Sequence, residues 1–98
     1  MLDYQTTLSW NDTMKQIQYN CLGRAISDRQ SFESELLEFL RNHDYITLPT
    51  ILSGLSKERF GSYSIYTTQD KNRKVGTLIV EYKRETEQLS KVDEVYFV

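Results

Sequence analysis

The chain has 98 residues, of which 39% are hydrophobic and 27% charged, and its formal net charge is −2. That length holds one core, so a single domain over residues 1–98 is expected, and the mildly acidic balance argues against an obligate polyanion binder. One cysteine, Cys21, excludes an internal disulfide and any multi-cysteine zinc site.

The opening stretch, MLDYQTTLSW, carries an acid and no apolar core of signal-peptide length, and nowhere do 18 apolar residues run together. A cytoplasmic location follows as the expectation, the host cytoplasm if a phage encodes the chain, with no membrane contact. Cys21 reads as a small buried hydrophobe.

Taken in chain order, residues 2–8 alternate Leu2, Tyr4, Thr6 and Leu8 against Asp3, Gln5 and Thr7, the period-2 pattern of a half-buried strand. Ser9 with Asp12 three residues on is a weak capping box, after which Trp10, Met14, Ile17, Cys21 and Ala25 recur at helical spacing. A helix over about residues 10–25 is predicted. A second helix starts at a Ser27 or Asp28 cap, with Phe32, Leu36, Phe39 and Leu40 as its apolar stripe. Glu33, Glu35 and Glu38 lie largely off that stripe, which predicts an acidic face turned to water.

Asn42-His43-Asp44 reads as a break. Pro49 then stands where a third helix can begin, with Ile51, Leu52, Leu55 and Phe60 at helical spacing and Gly61 as its left-handed end. Gly54 weakens that segment by about 1 kcal/mol relative to alanine, so two short turns compete with one helix. From residue 62 the period becomes two. Residues 62–68 and 75–83 form a predicted hairpin around the polar loop QDKNRK, with Asn72 at a position suited to positive φ, and Val92–Val98 supplies a strand beside Leu78–Tyr82. The predicted order is β-α-α-(α)-β-β-β, an α+β fold with helices packed on one face of an antiparallel sheet of three to four strands.

This order of elements resembles that of the RelE/ParE toxin superfamily, over most of the chain and without a shared motif. The resemblance implies ribosome-dependent cleavage of messenger RNA, with basic residues on the sheet, here chiefly Lys83 and Arg84. Two helices and a hairpin with a basic tip are also similar to the winged-helix arrangement. That likeness implies nucleic-acid binding through Lys57 and Arg59 on the third helix and Lys71, Arg73 and Lys74 on the wing.

For catalysis the chain lacks parts. His43 is the only histidine, and no nucleophile elbow, phosphate loop, zinc-helix motif or spaced acidic metal loop is present. Asp44 beside His43 is poorly placed to orient an imidazole, and the pairs Glu85/Glu87 and Asp93/Glu94 make a cation site only if folding joins them. The expectation is a non-enzyme with no catalytic residue, metal, cofactor or small-molecule substrate.

Charge is distributed unevenly. Residues 57–84 hold seven basic and three acidic side chains, net +4, and the rest hold five and eleven, net −6. Three tip cations on phosphates give a salt slope of about −2.7, about 40-fold between 50 and 200 mM, a modest grip. Cations at a hairpin tip also keep a β-rich edge soluble. Seven tyrosines are the other anomaly. Tyr63 and Tyr66 fall on opposite faces of one strand, so one of them is left at least partly exposed, as interface tyrosines are.

The sequence thus predicts a small non-enzymatic binding protein that masks or regulates a macromolecular partner, a protein or a second copy of itself. In size, charge and lack of catalytic equipment it is similar to inhibitors and regulators encoded by phages and other mobile elements. The expected contacts are Tyr66, Lys71, Arg73 and Lys74 on the hairpin, with Glu33, Glu35 and Glu38 as a second patch. Nucleic-acid binding through Lys57, Arg59, Lys71, Arg73 and Lys74 is the alternative.

Overall fold

A computed structural model describes residues 9–98, so the strand predicted over residues 2–8 lies outside the described residues. Helix α1 spans Trp10–Cys21. Ser9 Oγ accepts from the Asp12 N–H at 3.2 Å and donates to the Asp12 carboxylate at 2.8 Å, the cap that the Ser-x-x-Asp spacing announces. The helix stops short of residue 25 because Gly23 takes φ 79°, a left-handed conformation that ends the helical run. Ala25–Ile26 then forms a two-residue strand, β1.

Helix α2 spans Arg29–Asn42 and is capped by Asp28, whose carboxylate accepts from the Gln30 and Ser31 N–H groups. Phe32, Leu36 and Leu40 are its buried face, as the stripe predicts. It ends where Asp44 adopts φ 67°, a conformation that aspartate tolerates better than most residues.

The third helix does not form. Tyr45–Pro49 is instead strand β2, and residues 50–59 are turns, with Gly54 at φ 87°. Tyr45, Ile46 and Thr47 are β-formers whose short run of alternation was masked by the apolar spacing that follows. Pro49 closes the strand at the edge of the described sheet, where a missing N–H costs no ladder bond to β3. Gly61 ends no helix. It lies inside strand β3, Phe60–Thr67, which pairs with strand β4, Lys74–Arg84, as the predicted hairpin. Asn72 has no positive φ; the tip is shaped by Thr67 and Asp70, whose side-chain oxygens accept from the Asp70 and Asn72 N–H groups. Strand β5, Ser90–Phe97, pairs with β4 from Leu78↔Phe97 to Tyr82↔Val92, as predicted.

The described sheet therefore has five strands in the order β1-β5-β4-β3-β2, every pair antiparallel, against the three or four expected. It is curled into a half-barrel. One aromatic cluster expresses that curl: Trp10 meets the Tyr45 ring of β2 edge-on at 5.2 Å and the Phe97 ring of β5 at 5.0 Å, although β4 and β3 lie between those strands. Both helices bury their apolar residues against one face, in a cluster with Ile65, Leu78, Val80, Tyr82, Val92 and Val95. The α+β class with helices on an antiparallel sheet stands; the segment after Pro49 takes the turns that competed with a third helix, and an unpredicted strand, β2, precedes it.

Candidate functional site

Two places in this frame gather functional chemistry. The first lies under the 50–59 turns. Glu33, one turn into α2, is predicted to face water, yet its side chain is only 12% exposed. Its Oε2 accepts from Arg29 Nε at 2.9 Å and from the Tyr82 hydroxyl at 2.5 Å, while Oε1 accepts from the Tyr63 hydroxyl. Arg29 reaches this position through the i, i+4 spacing on α2. Its guanidinium lies 4.4 Å from the centre of the Tyr82 ring, and its remaining nitrogens donate to the Glu58 carbonyl at 3.0 Å and the Phe60 carbonyl at 2.6 Å.

Gly61 makes room for the cluster. A Cβ there would sit 2.5 Å from Glu33 Oε2. The cluster borders a cleft of about 220 Å³, whose other wall includes Ile51, Leu52 and Leu55. Its groups are nonetheless spent on each other. Both carboxylate oxygens accept, each guanidinium nitrogen donates, and the bonds tie α2 to β3, β4 and the end of the turn segment. That is an internal fastening. It holds no base or nucleophile left free to act on a molecule in the cleft.

Burial, and then the hydrogen bond to Glu33, push both the Tyr63 and the Tyr82 phenol above their ordinary value of 10.0. A raised pKa means that the fold favours the protonated form. The stabilisation is therefore complete below pH 10.0 and is lost as pH rises beyond it. In an alkaline titration followed by phenolate absorbance, two of the seven tyrosines are expected to ionise only as the helical signal collapses. All seven ionising while the helical signal is intact would contradict this.

The second place is the sheet face turned away from both helices. Its rows follow from the register: Ile46, Tyr66 and Lys74; then Leu48, Ser64 and Thr77; then Ser62, Ile79 and Tyr96. Ser64, Thr77 and Ile79 at the centre are buried, and exposure is concentrated at the margins, where Leu48 is exposed and Tyr66 and Tyr96 are half-exposed. Lys71, Arg73 and Lys74 extend this face at the hairpin tip, all exposed and none in an ion pair with another described residue. The structure thus brings Tyr66 together with Lys74 across the strand pair and sets Lys71 and Arg73 just beyond.

The three predicted glutamates do not form one patch. Glu33 is the fastening just described. Glu35 is paired twice with Arg24, at 3.0 and 3.1 Å, and that bond holds its carboxyl below and the guanidinium above their ordinary values. Of the three, Glu38 alone is exposed with no ion pair among the described residues, on the wall of a cleft between α2 and β2. The winged-helix arrangement is not formed, because no third helix exists to carry Lys57 and Arg59. Both lie in the turn segment, and Arg59 is bound to Glu81 at 2.6 Å.

Sequence reasoning missed Arg29, Gly61, Tyr82 and the β2 edge as a group. The Arg29/Glu33 spacing was a visible signal; the approach of the two tyrosines depends on sheet register. Among the described residues no group of three or more His, Cys, Asp or Glu side chains is placed to hold a metal ion. No described helix is long and apolar enough to cross a membrane. No protein-family model, curated protein or solved structure matches the chain.

Proposed function

We propose that the protein is a non-enzymatic binding module that masks or regulates a protein partner, with Tyr66, Lys71, Arg73 and Lys74 as its principal contacts. The observation that carries this reading is the placement of a half-exposed tyrosine beside exposed cations, unpaired among the described residues, on a sheet face that no described helix covers. A rigid ring provides contact area at little entropic cost, and exposed cations with no partner among the described residues are available to acidic groups. The self-satisfied state of the Glu33 cluster supports the non-enzymatic part. The mildly acidic chain and the absence of a reading helix favour a protein over a duplex.

The test is a photo-cross-link. With Tyr66 replaced by p-benzoyl-phenylalanine, irradiation in nuclease-treated source-cell lysate is expected to give one discrete protein adduct. The adduct is expected to disappear when Lys71, Arg73 and Lys74 are changed to serine. An adduct that vanishes with nuclease alone, or none at all, would defeat the proposal.

A further inference from the structure

Three donors converge on the Glu33 carboxylate from three elements: Arg29 on α2, Tyr63 on β3 and Tyr82 on β4. Each is also held by contacts in which Glu33 has no part. Arg29 donates to the Glu58 carbonyl at 3.0 Å and to the Phe60 carbonyl at 2.6 Å, and its guanidinium lies 4.4 Å from the centre of the Tyr82 ring. The Tyr82 ring meets Phe32 edge-on at 6.2 Å, and the Tyr82 N–H donates to the Arg59 carbonyl at 2.7 Å. Tyr63 sits inside β3, paired with Pro49 on one side and Leu78 on the other. The three donors therefore keep their directions whether or not Glu33 supplies the acceptor. A further wall is bare backbone: a Cβ on Gly61 would lie 2.5 Å from Oε2, 3.0 Å from Cδ and 3.1 Å from Oε1, so the space is cut to the atoms of a carboxyl group.

We infer that Arg29, Tyr63 and Tyr82 form a binding site for a monocarboxylate, of which Glu33 is the resident, tethered ligand. Two phenols and a guanidinium supply donors to both oxygens, and the guanidinium charge separates a carboxylate from a neutral amide of the same shape. In the parent chain the tether keeps free carboxylates out, because an intramolecular ligand has a high effective concentration. Truncation of Glu33 to alanine removes Cγ, Cδ, Oε1 and Oε2, which are the heavy atoms of acetate. The cleft of about 220 Å³ bordered by Arg29, Glu33, Gly61 and Tyr63 is the way in. The site lies on the helix-covered face of the sheet and Tyr66 on the other, so it does not depend on partner binding at the hairpin.

The test is denaturant unfolding of the full-length Glu33→Ala chain at neutral pH in sodium acetate, with sodium chloride at equal ionic strength and acetamide as controls and the parent chain run alongside. Acetate is expected to stabilise the variant saturably, raising its folded-to-unfolded ratio about tenfold at ten times Kd. Acetamide is expected to have no such effect. The parent, whose site is filled, is expected to show only the general effect of the salt.

Tyr82→Phe added to Glu33→Ala keeps the ring and removes one donor, so it is expected to weaken acetate binding about tenfold or more. Should Glu33→Ala be unfolded in chloride, recovery of the helical signal in acetate and not in acetamide is the expected result. Equal responses to acetate, chloride and acetamide, a gain of the same size in the parent, or a gain indifferent to Tyr82→Phe would overturn the inference, as would a Glu33→Ala chain that stays unfolded in molar acetate.

Discussion

Glu33→Ala is expected to lower the free energy of unfolding by about 3–5 kcal/mol, the range for removing one partner of a desolvated charge network. The loss has named components. The Tyr82 hydroxyl, in a residue only 3% exposed, is left without its acceptor. Arg29 keeps its carbonyl partners but loses the carboxylate that neutralises it, and the Tyr63 hydroxyl loses its bond. An unmet buried donor costs about 1–3 kcal/mol by itself. Glu38→Ala, an exposed control on the same helix with no ion pair among the described residues, is expected to stay within about 0.5 kcal/mol of the parent. Denaturant midpoints measured on the two variants decide the matter, and equal shifts would mean that Glu33 is not the fastening described.

Gly61→Ala comes second. An added methyl in a strand interior ordinarily helps or is neutral, since it reduces the freedom of the unfolded chain. Here the new Cβ would lie 2.5 Å from Oε2, 3.0 Å from Cδ and 3.1 Å from Oε1 of Glu33, so the carboxylate must leave its partners or the strand must move. A cost of about 2–3 kcal/mol is expected, within the range for overpacking. Because the obstacle is one side chain, the cost is expected to vanish when Glu33 is already alanine. The double variant should therefore be about as stable as Glu33→Ala alone, a coupling equal to the single Gly61→Ala cost of about 2–3 kcal/mol. Additive losses would place the strain elsewhere.

These two residues also mark how far the sequence could be read. Both described helices, their caps and the β3–β4–β5 meander were legible, because Ser9, Asp28 and the apolar periods act over a few residues. Strand β2 was not, and the turns that follow it were read only as one of two alternatives. The apolar residues of this segment fit a helix on spacing, and only the positive φ at Gly54 and the edge position of Pro49 show why it is a strand followed by turns. Glu33 was placed in solvent for a similar reason. Its position off the stripe of α2 is correct, but sheet curl brings Tyr63 and Tyr82 around to meet it, and no local pattern encodes that approach. The hairpin that carries Tyr66, Lys71, Arg73 and Lys74 was legible, since strand alternation and loop polarity are local properties.

The cross-link scan extended to a second position tests the division of labour most directly: recognition by the sheet, fastening by the Glu33 cluster. With the photoreactive residue at Leu55, on the wall of the 220 Å³ cleft beside the cluster, no adduct is expected under conditions in which Tyr66 gives one. An adduct from Leu55 and none from Tyr66 would put the working site in the cleft and contradict the assignment.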